Sequence, residues 1–310
     1  MKKFKELTLN MESVMTVLVQ EIEERETSSG KKYCRITISD GSETVIANMW
    51  NTEKAQISKF TGILAKTVIV AKTYQGAATY QIDRLAEADP NARIEDYILS
   101  VPMRSDDMYR EILDMLKKEE KGEKSVIRIA IELYEENQAA LLSWAAAKSI
   151  HHNCYGGLLY HVYRMMKAVL ALGKVYDFDM ETLLAAAALH DIGKLKELRT
   201  SLLGVADYTV EGSLMGHTLL GLEMITKIAE DFEIPQEKLL PLKHAIAAHH
   251  GKLEYGAITL PATREALLLH QIDMIDSQMY QCEEVEKKTE PGKISEKVFG
   301  LGNVGLYIPE

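Results

Sequence analysis

Residues 183–198, LLAAAALHDIGKLKEL, run from alanine and leucine directly into a histidine and an aspartate. Alanine and leucine are strong helix formers without polar side-chain atoms to satisfy, so the run predicts a helix buried in a core. His190 and Asp191 end that run, and an imidazole beside a carboxylate is a combination that divalent metals bind. A single His-Asp pair also arises by chance in many proteins. The rest of the chain therefore has to supply further ligands before a metal site is predicted.

The composition is that of a folded protein with a substantial core. The chain has 310 residues, 46% of them hydrophobic and 26% charged, and its length exceeds that of one typical domain. The formal net charge of −10 argues against a protein that holds nucleic acid through its overall field. Cys34, Cys154 and Cys282 are far apart and lack CxxC spacing, which argues against a thiolate zinc site and a disulfide framework.

The first residues contain no hydrophobic segment of the kind that targets or anchors a protein. Residues 1–24 are interrupted by Glu6, Asn10 and Glu12, so neither a signal-peptide core nor a membrane span is expected. We therefore expect a cytoplasmic protein without a membrane partner.

Five short runs rich in β-branched residues lie between residues 14 and 86, separated by turn-forming segments with Gly, Ser and Asp. In one run Tyr33 and Arg35 alternate with Cys34 and Ile36, and this period of two is typical of a sheet with one solvent-exposed face. Five such strands predict a small all-β barrel of the OB-fold type at the N-terminus.

The exposed face of an OB-fold barrel binds single strands through aromatic stacking and basic side chains. Tyr33, Arg35 and Trp50 are the candidates for such contacts. Residues 1–95 contain thirteen Lys and Arg against thirteen Asp and Glu, so the barrel has no excess positive charge to attract phosphates. Nucleic-acid binding by the barrel and a role in assembly therefore both stay open.

Apolar residues at helical spacing follow the barrel, after a joint that contains Pro90 and Pro102. The pattern predicts an all-α bundle as the second domain of a multidomain protein. We expect residues 1–95 to form the barrel, 96–125 a linker and the first helices, 126–285 the main helical domain and 286–310 a C-terminal tail.

All nine histidines lie in the helical part of the chain, between positions 151 and 270. His161 and His249 each share a helical stripe with apolar residues, so they are expected to face the core. A single such histidine is usually a core residue with a hydrogen-bond partner. His250 falls off the stripe of His249 and is expected to point sideways. Asp273 and Asp276 share one face of a later helix, and buried carboxylates are costly unless a positive group meets them.

Six residues from five segments form the candidate donor set: His161, His190, Asp191, His217, His249 and Asp273. Four imidazoles and two carboxylates suit Mn²⁺, Fe²⁺, Co²⁺ or Zn²⁺ and differ from the all-oxygen cage that calcium prefers. If the Asp191 carboxylate bridges two ions, they would lie about 3.5 to 4 Å apart, the spacing used in phosphoester hydrolysis.

The order of these residues, H, HD, H, H and D, resembles that of the HD superfamily of metal-dependent phosphohydrolases. The stretches GGLLYHVYRM, LHDIGKLKEL, YTVEGSLMGH, AHHGKLEYG and LLLHQIDMID resemble parts of the YhaM-type exoribonucleases, which have an OB-fold ahead of an HD domain. The resemblance covers nearly the whole chain. It implies a metal-dependent exonuclease that removes nucleotides from the 3′ end of single-stranded RNA, with DNA as an alternative substrate.

The resemblance also implies the cofactors and the residue roles. Manganese is the expected activator, with Fe, Co, Zn or Ni as alternatives and two ions expected per site. His161, His190, Asp191 and Asp273 would bind the first ion, and Asp191, His217 and His249 the second. Asp191 and Lys194 would be catalytic, Lys194 by reaching a phosphate. Further substrate contacts are expected from Lys148, His151, His152, Arg164 and His250.

Other functions fit the same residues. A hydrolase of free nucleotides or cyclic dinucleotides would keep the metal site and use the barrel only for assembly. A nucleic-acid-binding adaptor would hold the metals for structure alone, and a di-iron oxidation is a further alternative that the attached barrel disfavours. No GxSxG elbow, reactive-cysteine setting or P-loop competes with the metal site. Single-stranded RNA or DNA is the expected partner, and homo-oligomer formation stays open.

Overall fold

The computed structural model describes residues 2–74, 77–98, 100–144, 154–200 and 206–310. The chain divides into two units, Met1–Ser100 and Val101–Glu310. The first is built from strands and the second mainly from helices, which confirms the predicted fold class of an all-β barrel followed by an all-α domain. The finer domain limits at residues 95, 125 and 285 remain predictions.

Five strands form a closed barrel in the order β1-β2-β3-β5-β4. They are β1 (Glu12–Glu26), β2 (Lys32–Ser39), β3 (Thr44–Trp50), β4 (Leu64–Tyr74) and β5 (Ala77–Glu87). All neighbouring pairs are antiparallel except β3 with β5. The long β1 pairs with β4 along its first half and with β2 along its second, and its register shifts after Val19. Such a bulge bends a strand, which lets β1 reach both neighbours and close the barrel.

The barrel interior is apolar because inward-facing residues alternate with outward-facing ones along each strand. Cys34, Ile36 and Ile38 on β2 are completely buried, whereas Tyr33 and Arg35 reach the outer surface. The predicted period of two is therefore confirmed for this strand, and its aromatic and basic side chains are available to a ligand outside the barrel.

The helical unit also contains a small sheet that the sequence pattern did not predict. The helices, in chain order, are α1 (Lys54–Ile57) in the barrel unit, and then α2 (Ser105–Glu119), α3 (Ile127–Glu136), α4 (Gln138–Leu141), α5 (Gly157–Leu172), α6 (Met180–Leu189), α7 (Lys194–Glu197), α8 (Val210–Asp231), α9 (Gln236–Ala248) and α10 (Arg264–Glu286). Strands β6 (Leu198–Thr200) and β7 (Ala206–Tyr208) pair between α7 and α8. Three residues are too few to display an alternating pattern. In the parts of the chain that the structure describes, no helix combines the length and apolarity needed to cross a membrane.

Helix α6 lies at the centre of the helical unit, where it packs against α2, α3, α5, α9 and α10. Residues 181–189 are all buried, which explains why alanine and leucine occupy every side of this helix. Asp179 caps the N-terminus by accepting a hydrogen bond from the backbone N–H of Glu181. The C-terminus leads directly into His190 and Asp191, so the most buried helix of the unit positions the His-Asp pair.

The C-terminal tail folds back on itself after α10. Two antiparallel bridges hold it together, Ile294 with Tyr307 and Val298 with Val304. We call residues 292–308 the C-terminal hairpin, and the 3-10 turn Phe299–Leu301 lies at its tip. This turn contacts α10. The tail therefore packs on the helical unit at its tip.

Candidate metal centre

The six predicted ligands converge from five segments of the helical unit. Helix α5 provides His161, the end of α6 provides His190 and Asp191, α8 provides His217, the end of α9 provides His249, and α10 provides Asp273. Three of these positions are helix ends or breaks, since α6 stops before His190, α9 stops before His249, and Gly216 interrupts α8 with a φ of 70°. The centre is therefore built where helices end on the buried side of the unit.

The donor atoms lie close to one another. His161 Nε2 is 3.2 Å from His190 Nε2 and 3.3 Å from Asp273 Oδ1. The Asp191 carboxylate lies between two histidines, with Oδ2 at 3.2 Å from His190 Nε2 and Oδ1 at 3.5 Å from His217 Nε2. Asp191 therefore faces both halves of the cluster, as a bridging carboxylate must.

Each of the four predicted histidine ligands has its Nδ1 nitrogen engaged by a protein oxygen. Nδ1 of His161 donates to Asp276 at 2.7 Å, and Nδ1 of His217 donates to Glu197 at 3.2 Å. A backbone carbonyl accepts from Nδ1 of each of the other two, at 3.1 and 2.6 Å. A histidine held in this way presents Nε2 as the metal-binding atom. All four imidazoles are therefore oriented as ligands.

Three imidazole nitrogens are buried without a hydrogen-bond partner among the described residues: Nε2 of His217, Nε2 of His249 and Nδ1 of His250. Buried polar atoms without partners are costly and call for an ion or a water molecule. Two groups have ligand atoms within 4.8 Å of one another and could each hold an ion, namely His161, His190 and Asp191, and His217, His249 and His250. The side chains present therefore fit divalent metal binding, and imidazole with carboxylate suits Mn, Fe, Co or Zn.

The helical stripe predicted that His250 points sideways, but in the structure it does not. Its ring centroid lies 3.9 Å from that of His249 and 5.2 Å from that of His217. Helix α9 ends at Ala248, and the chain turns at Gly251, where φ is 75°. Helical periodicity does not extend past Ala248, so it gives the wrong direction for His250. The structure makes His250 a further candidate ligand.

Burial and neighbouring charges divide the histidines into two kinds. Burial alone would lower the pKa of His161, but the carboxylates of Asp273 and Asp276 raise it to about 9. Burial lowers the pKa of His249 and of His250, and neighbouring histidines lower both further. One side of the centre therefore holds a proton at neutral pH, and the other holds neutral imidazoles that are ready to bind a cation.

Lys194 places a positive charge beside the carboxylate of Asp191. Its Nζ lies 2.7 Å from Asp191 Oδ2, and both side chains are largely buried. Burial opposes ionisation of Asp191, yet Lys194 and His190 hold the pKa of this carboxyl well below its usual range. The backbone carbonyl of Lys194 accepts a hydrogen bond from the indole N–H of Trp144 at 3.0 Å, which ties down the turn that carries the lysine.

Arg164 contacts carboxylates of the protein itself. Its Nε lies 2.6 Å from Asp276 Oδ1, and its terminal nitrogen lies 2.9 Å from Glu283 Oε1. The second oxygen of Asp276 accepts the hydrogen bond from His161, so the three side chains form a chain of charged hydrogen bonds that ends at a ligand. This geometry favours a positioning role for Arg164 over the phosphate contact that the sequence predicted.

Gly193 and Glu197 position His217. Glu197 Oε1 accepts from the backbone N–H of His217 at 3.0 Å and from its Nδ1 at 3.2 Å. Gly193 lies so close to α8 that an added Cβ would overlap the carbonyl oxygen of His217 and the backbone nitrogen of Gly221. The segment that follows the His-Asp pair therefore supplies a glycine for close packing and a carboxylate for orientation.

A cavity of about 330 Å³ opens at the centre. The proposed ligands Asp191, His249 and Asp273 line it together with Lys194, and its other walls include Tyr255, His270, Ser277, Gln278 and Phe299. Small-molecule sites typically have volumes of roughly 300 to 1,000 Å³, so this cavity is at the lower end of that range. It has room for a group of about the size of one nucleotide.

The barrel residues predicted to contact nucleic acid lie together on the outer surface. Tyr33 and Trp50 are cross-strand partners with ring centroids 4.7 Å apart, and Trp50 is 45% exposed. Arg35 is exposed two residues along the same strand, hence on the same face. These three side chains could form one stacking surface with an adjacent cation. Three further predicted contacts, Lys148, His151 and His152, lie outside the described residues.

Several residues of the site were not predicted to have a role in it. Asp276 shares an inward face with Asp273, and that spacing of three residues was the one signal available for it. Glu197 and Phe299 carry no periodic signal, because each reaches the site through a contact between segments far apart in the chain. Such contacts become visible only once the helices are packed.

This helical unit, with its H, HD, H, H and D donors on converging helices, defines an HD-domain protein, and residues 158–278 match the family model described as HD domain. Curated relatives match nearly the whole chain. The 3′-5′ exoribonuclease YhaM of Oceanobacillus iheyensis is 32% identical over 307 residues, which cover 94% of this chain and 92% of the relative. The 3′-5′ exoribonuclease YhaM of Bacillus subtilis is 30% identical over 286 residues, covering 91% and 90%. The chain therefore belongs to the YhaM family of HD-domain proteins.

Proposed function

We propose that this protein is a metal-dependent 3′-5′ exoribonuclease, a hydrolase that shortens single-stranded RNA from its 3′ end. The observation that carries the proposal is the convergence of four oriented imidazoles and two carboxylates at a cavity large enough for one nucleotide. The curated relatives are named as exoribonucleases, which favours this function over hydrolysis of free nucleotides or cyclic dinucleotides and over a non-catalytic adaptor.

The centre holds two divalent ions in this proposal. His161, His190, Asp191 and Asp273 would hold one, and Asp191, His217, His249 and His250 would hold the other. Mn²⁺ is the proposed activator, with Fe, Co, Zn or Ni as alternatives, because all of them accept imidazole ligands. When bound, the ions supply Lewis acidity to the scissile phosphate and to the attacking water.

The protein's own groups position the phosphate and balance its charge. Lys194 reaches the phosphate as a point charge. The carboxylate of Asp191 holds the ammonium group of Lys194 beside the centre. Hydrolysis joins a water oxygen to the phosphorus and breaks the bond to the 3′ oxygen of the preceding nucleotide, which takes up a proton. The products are a nucleoside 5′-monophosphate and an RNA shorter by one nucleotide.

The barrel guides the strand by stacking, without reading its sequence. Tyr33 and Trp50 are the proposed platform and Arg35 the adjacent phosphate contact, while Lys148, His151 and His152 are proposed to contact the substrate. DNA is the alternative single-stranded substrate. A cytoplasmic location remains a prediction, which cell fractionation would test. Homo-oligomer formation stays open, and the mass of the purified protein in solution would decide it.

The decisive test is incubation of the purified protein with 5′-labelled single-stranded RNA and with a matched blunt duplex, in Mn²⁺ or in EDTA. We expect a ladder that shortens from the 3′ end in Mn²⁺, no products in EDTA, and an intact duplex. Asp191→Ala should abolish hydrolysis while retaining binding of the single strand. RNA that stays intact with the wild-type protein and every divalent metal tried would contradict the proposal.

A further inference from the structure

We infer that Phe299, at the tip of the C-terminal hairpin, is the platform on which the base of the 3′-terminal nucleotide stacks. The inference rests on the proposed function for the identity of the nucleotide and on the structure for the location of the subsite. It assigns a substrate-binding role to the tail, a part of the chain that contributes no metal ligand.

The tip of the hairpin is fixed against the helix that carries a metal ligand. Gly300 packs on the side chain of Gln281 in α10, so closely that an added Cβ would overlap it. Gln281 follows Asp273 by eight residues, which is about 12 Å along the helix axis. Its own amide donates to the backbone carbonyl of Ser277 at 3.2 Å. Helix α10 therefore carries the predicted ligand Asp273 and also holds the hairpin tip, at a defined separation along its axis.

The space between these two points is the cavity of the metal centre. Asp273, Ser277, Gln278 and Gln281 succeed one another along α10 as part of its lining, and Phe299 closes the same lining. A phosphate at Asp191 and Lys194 would leave the remainder of the cavity, whose whole volume is about 330 Å³, for the sugar and base of one nucleotide. Phe299 is one of the residues that line the cavity, and it is the aromatic residue that the C-terminal hairpin contributes to that lining.

The exposure of Phe299 is unusual for this protein. The structure describes all five phenylalanines, and the other four are buried or half-buried, whereas Phe299 is 82% exposed. A large apolar ring that stays in solvent beside the cavity has its stacking face available to a ligand. Every base has a π face, so stacking tolerates all four bases, as an enzyme that removes successive nucleotides requires.

The first test compares kinetics on single-stranded RNA in saturating Mn²⁺. Phe299→Ala should raise KM by about five- to a hundredfold, the range that corresponds to the loss of one stacked base, and Phe299→Trp should restore it. Tyr307→Ala is the matched control, because Tyr307 is an aromatic residue of the same hairpin, 62% exposed and not part of the cavity lining. An RNA that ends in an abasic ribose should be a poor substrate for the wild type, and its KM should not rise further in Phe299→Ala.

The second test measures binding without turnover. Adenosine 5′-monophosphate and ribose 5-phosphate are titrated into the Mn²⁺-loaded protein by calorimetry. The wild type should bind the nucleotide about five- to a hundredfold more tightly than the sugar phosphate, and Phe299→Ala should bind both equally. If Phe299→Ala kept the wild-type preference for adenosine 5′-monophosphate over ribose 5-phosphate, the stacking role would be overturned. Wild-type protein that discriminates the two ligands but leaves RNA intact would instead contradict the exoribonuclease proposal and retain the base platform.

Discussion

Asp276 accepts a hydrogen bond from Nδ1 of His161 at 2.7 Å, and through it a carboxylate outside the predicted ligand set decides which nitrogen of His161 faces the centre. The same carboxylate is paired with Arg164 on its other oxygen. A carboxylate in this position fixes the tautomer of a ligating imidazole and raises its basicity. The proposed metal centre therefore depends on residues outside the predicted ligand set.

Replacement of Asp276 should weaken metal binding. Asp276→Asn keeps the shape of the side chain but removes its charge, and we expect the Mn²⁺ concentration for half-maximal RNA hydrolysis to rise about 10- to 100-fold. Excess Mn²⁺ should restore most of the rate. Glu283→Gln is the control, because Glu283 pairs with the far end of Arg164. An unchanged Mn²⁺ requirement in Asp276→Asn would contradict the positioning role.

Arg164 offers a test between positioning and direct substrate contact. Arg164→Leu removes the cation beside Asp276, so the Mn²⁺ requirement should rise while KM for RNA at saturating Mn²⁺ stays near the wild-type value. The measurement is KM determined at several fixed Mn²⁺ concentrations. A KM that remains high however much Mn²⁺ is added would assign Arg164 to the RNA phosphates, as the sequence had predicted.

Metal binding should release a proton from His161. Because its pKa is about 9 in the metal-free protein, an ion that binds Nε2 at neutral pH must displace a proton. Apparent Mn²⁺ affinity should therefore rise as pH increases from about 6.5 and level off above about 9. In the metal-free protein, the stabilisation from this raised pKa is present below about 6.5 and is lost as pH rises through about 9. Calorimetric titration of Mn²⁺ at pH 7.5 in buffers of different ionisation enthalpy counts the protons released on binding. A count near zero would be inconsistent with the raised pKa of His161.

Lys194 should act on turnover more than on metal loading. Lys194→Met keeps the length of the side chain and removes its charge, and we expect kcat at saturating Mn²⁺ to fall by about 10² to 10³, as for the loss of one preorganised cationic or hydrogen-bonding group. Lys196→Met is the matched control, since Lys196 is exposed two residues away. Equal rates for the two variants would remove Lys194 from the proposed catalytic residues.

Gly193 should be intolerant of any side chain. Gly193→Ala would force the α7 segment away from α8, and overpacking of this kind lowers the free energy of unfolding by about 1 to 3 kcal/mol. Because the overlap is with the backbone of His217, Mn²⁺ binding should weaken as well. Gly173→Ala is the comparison, because its added Cβ would overlap only the flexible end of Met180 and would lie at ordinary contact distance from Phe178 and Val169. Thermal unfolding and Mn²⁺ titration of both variants provide the measurements.

The barrel and the inward positions of His161 and Asp273 were predictable because both depend on periodic patterns within single segments. Alternation along β2 identified a strand, and helical stripes placed His161 and Asp273 towards the interior before any contact between helices was known. His250 was misplaced because α9 ends at Ala248, where the helical period stops. Glu197 and the hairpin tip could not be predicted at all, since their positions depend on packing between segments distant in sequence.

Each structural unit contains one of the two tryptophans. Trp50 lies against Tyr33 on the barrel surface, and Trp144 donates its indole N–H to the carbonyl of Lys194. Phenylalanine at either position would leave a single tryptophan, beside the proposed strand-binding surface in one case and beside the proposed catalytic lysine in the other. The arrival of RNA on the barrel and the loading of the metal centre could thus be followed as separate optical signals from the same chain.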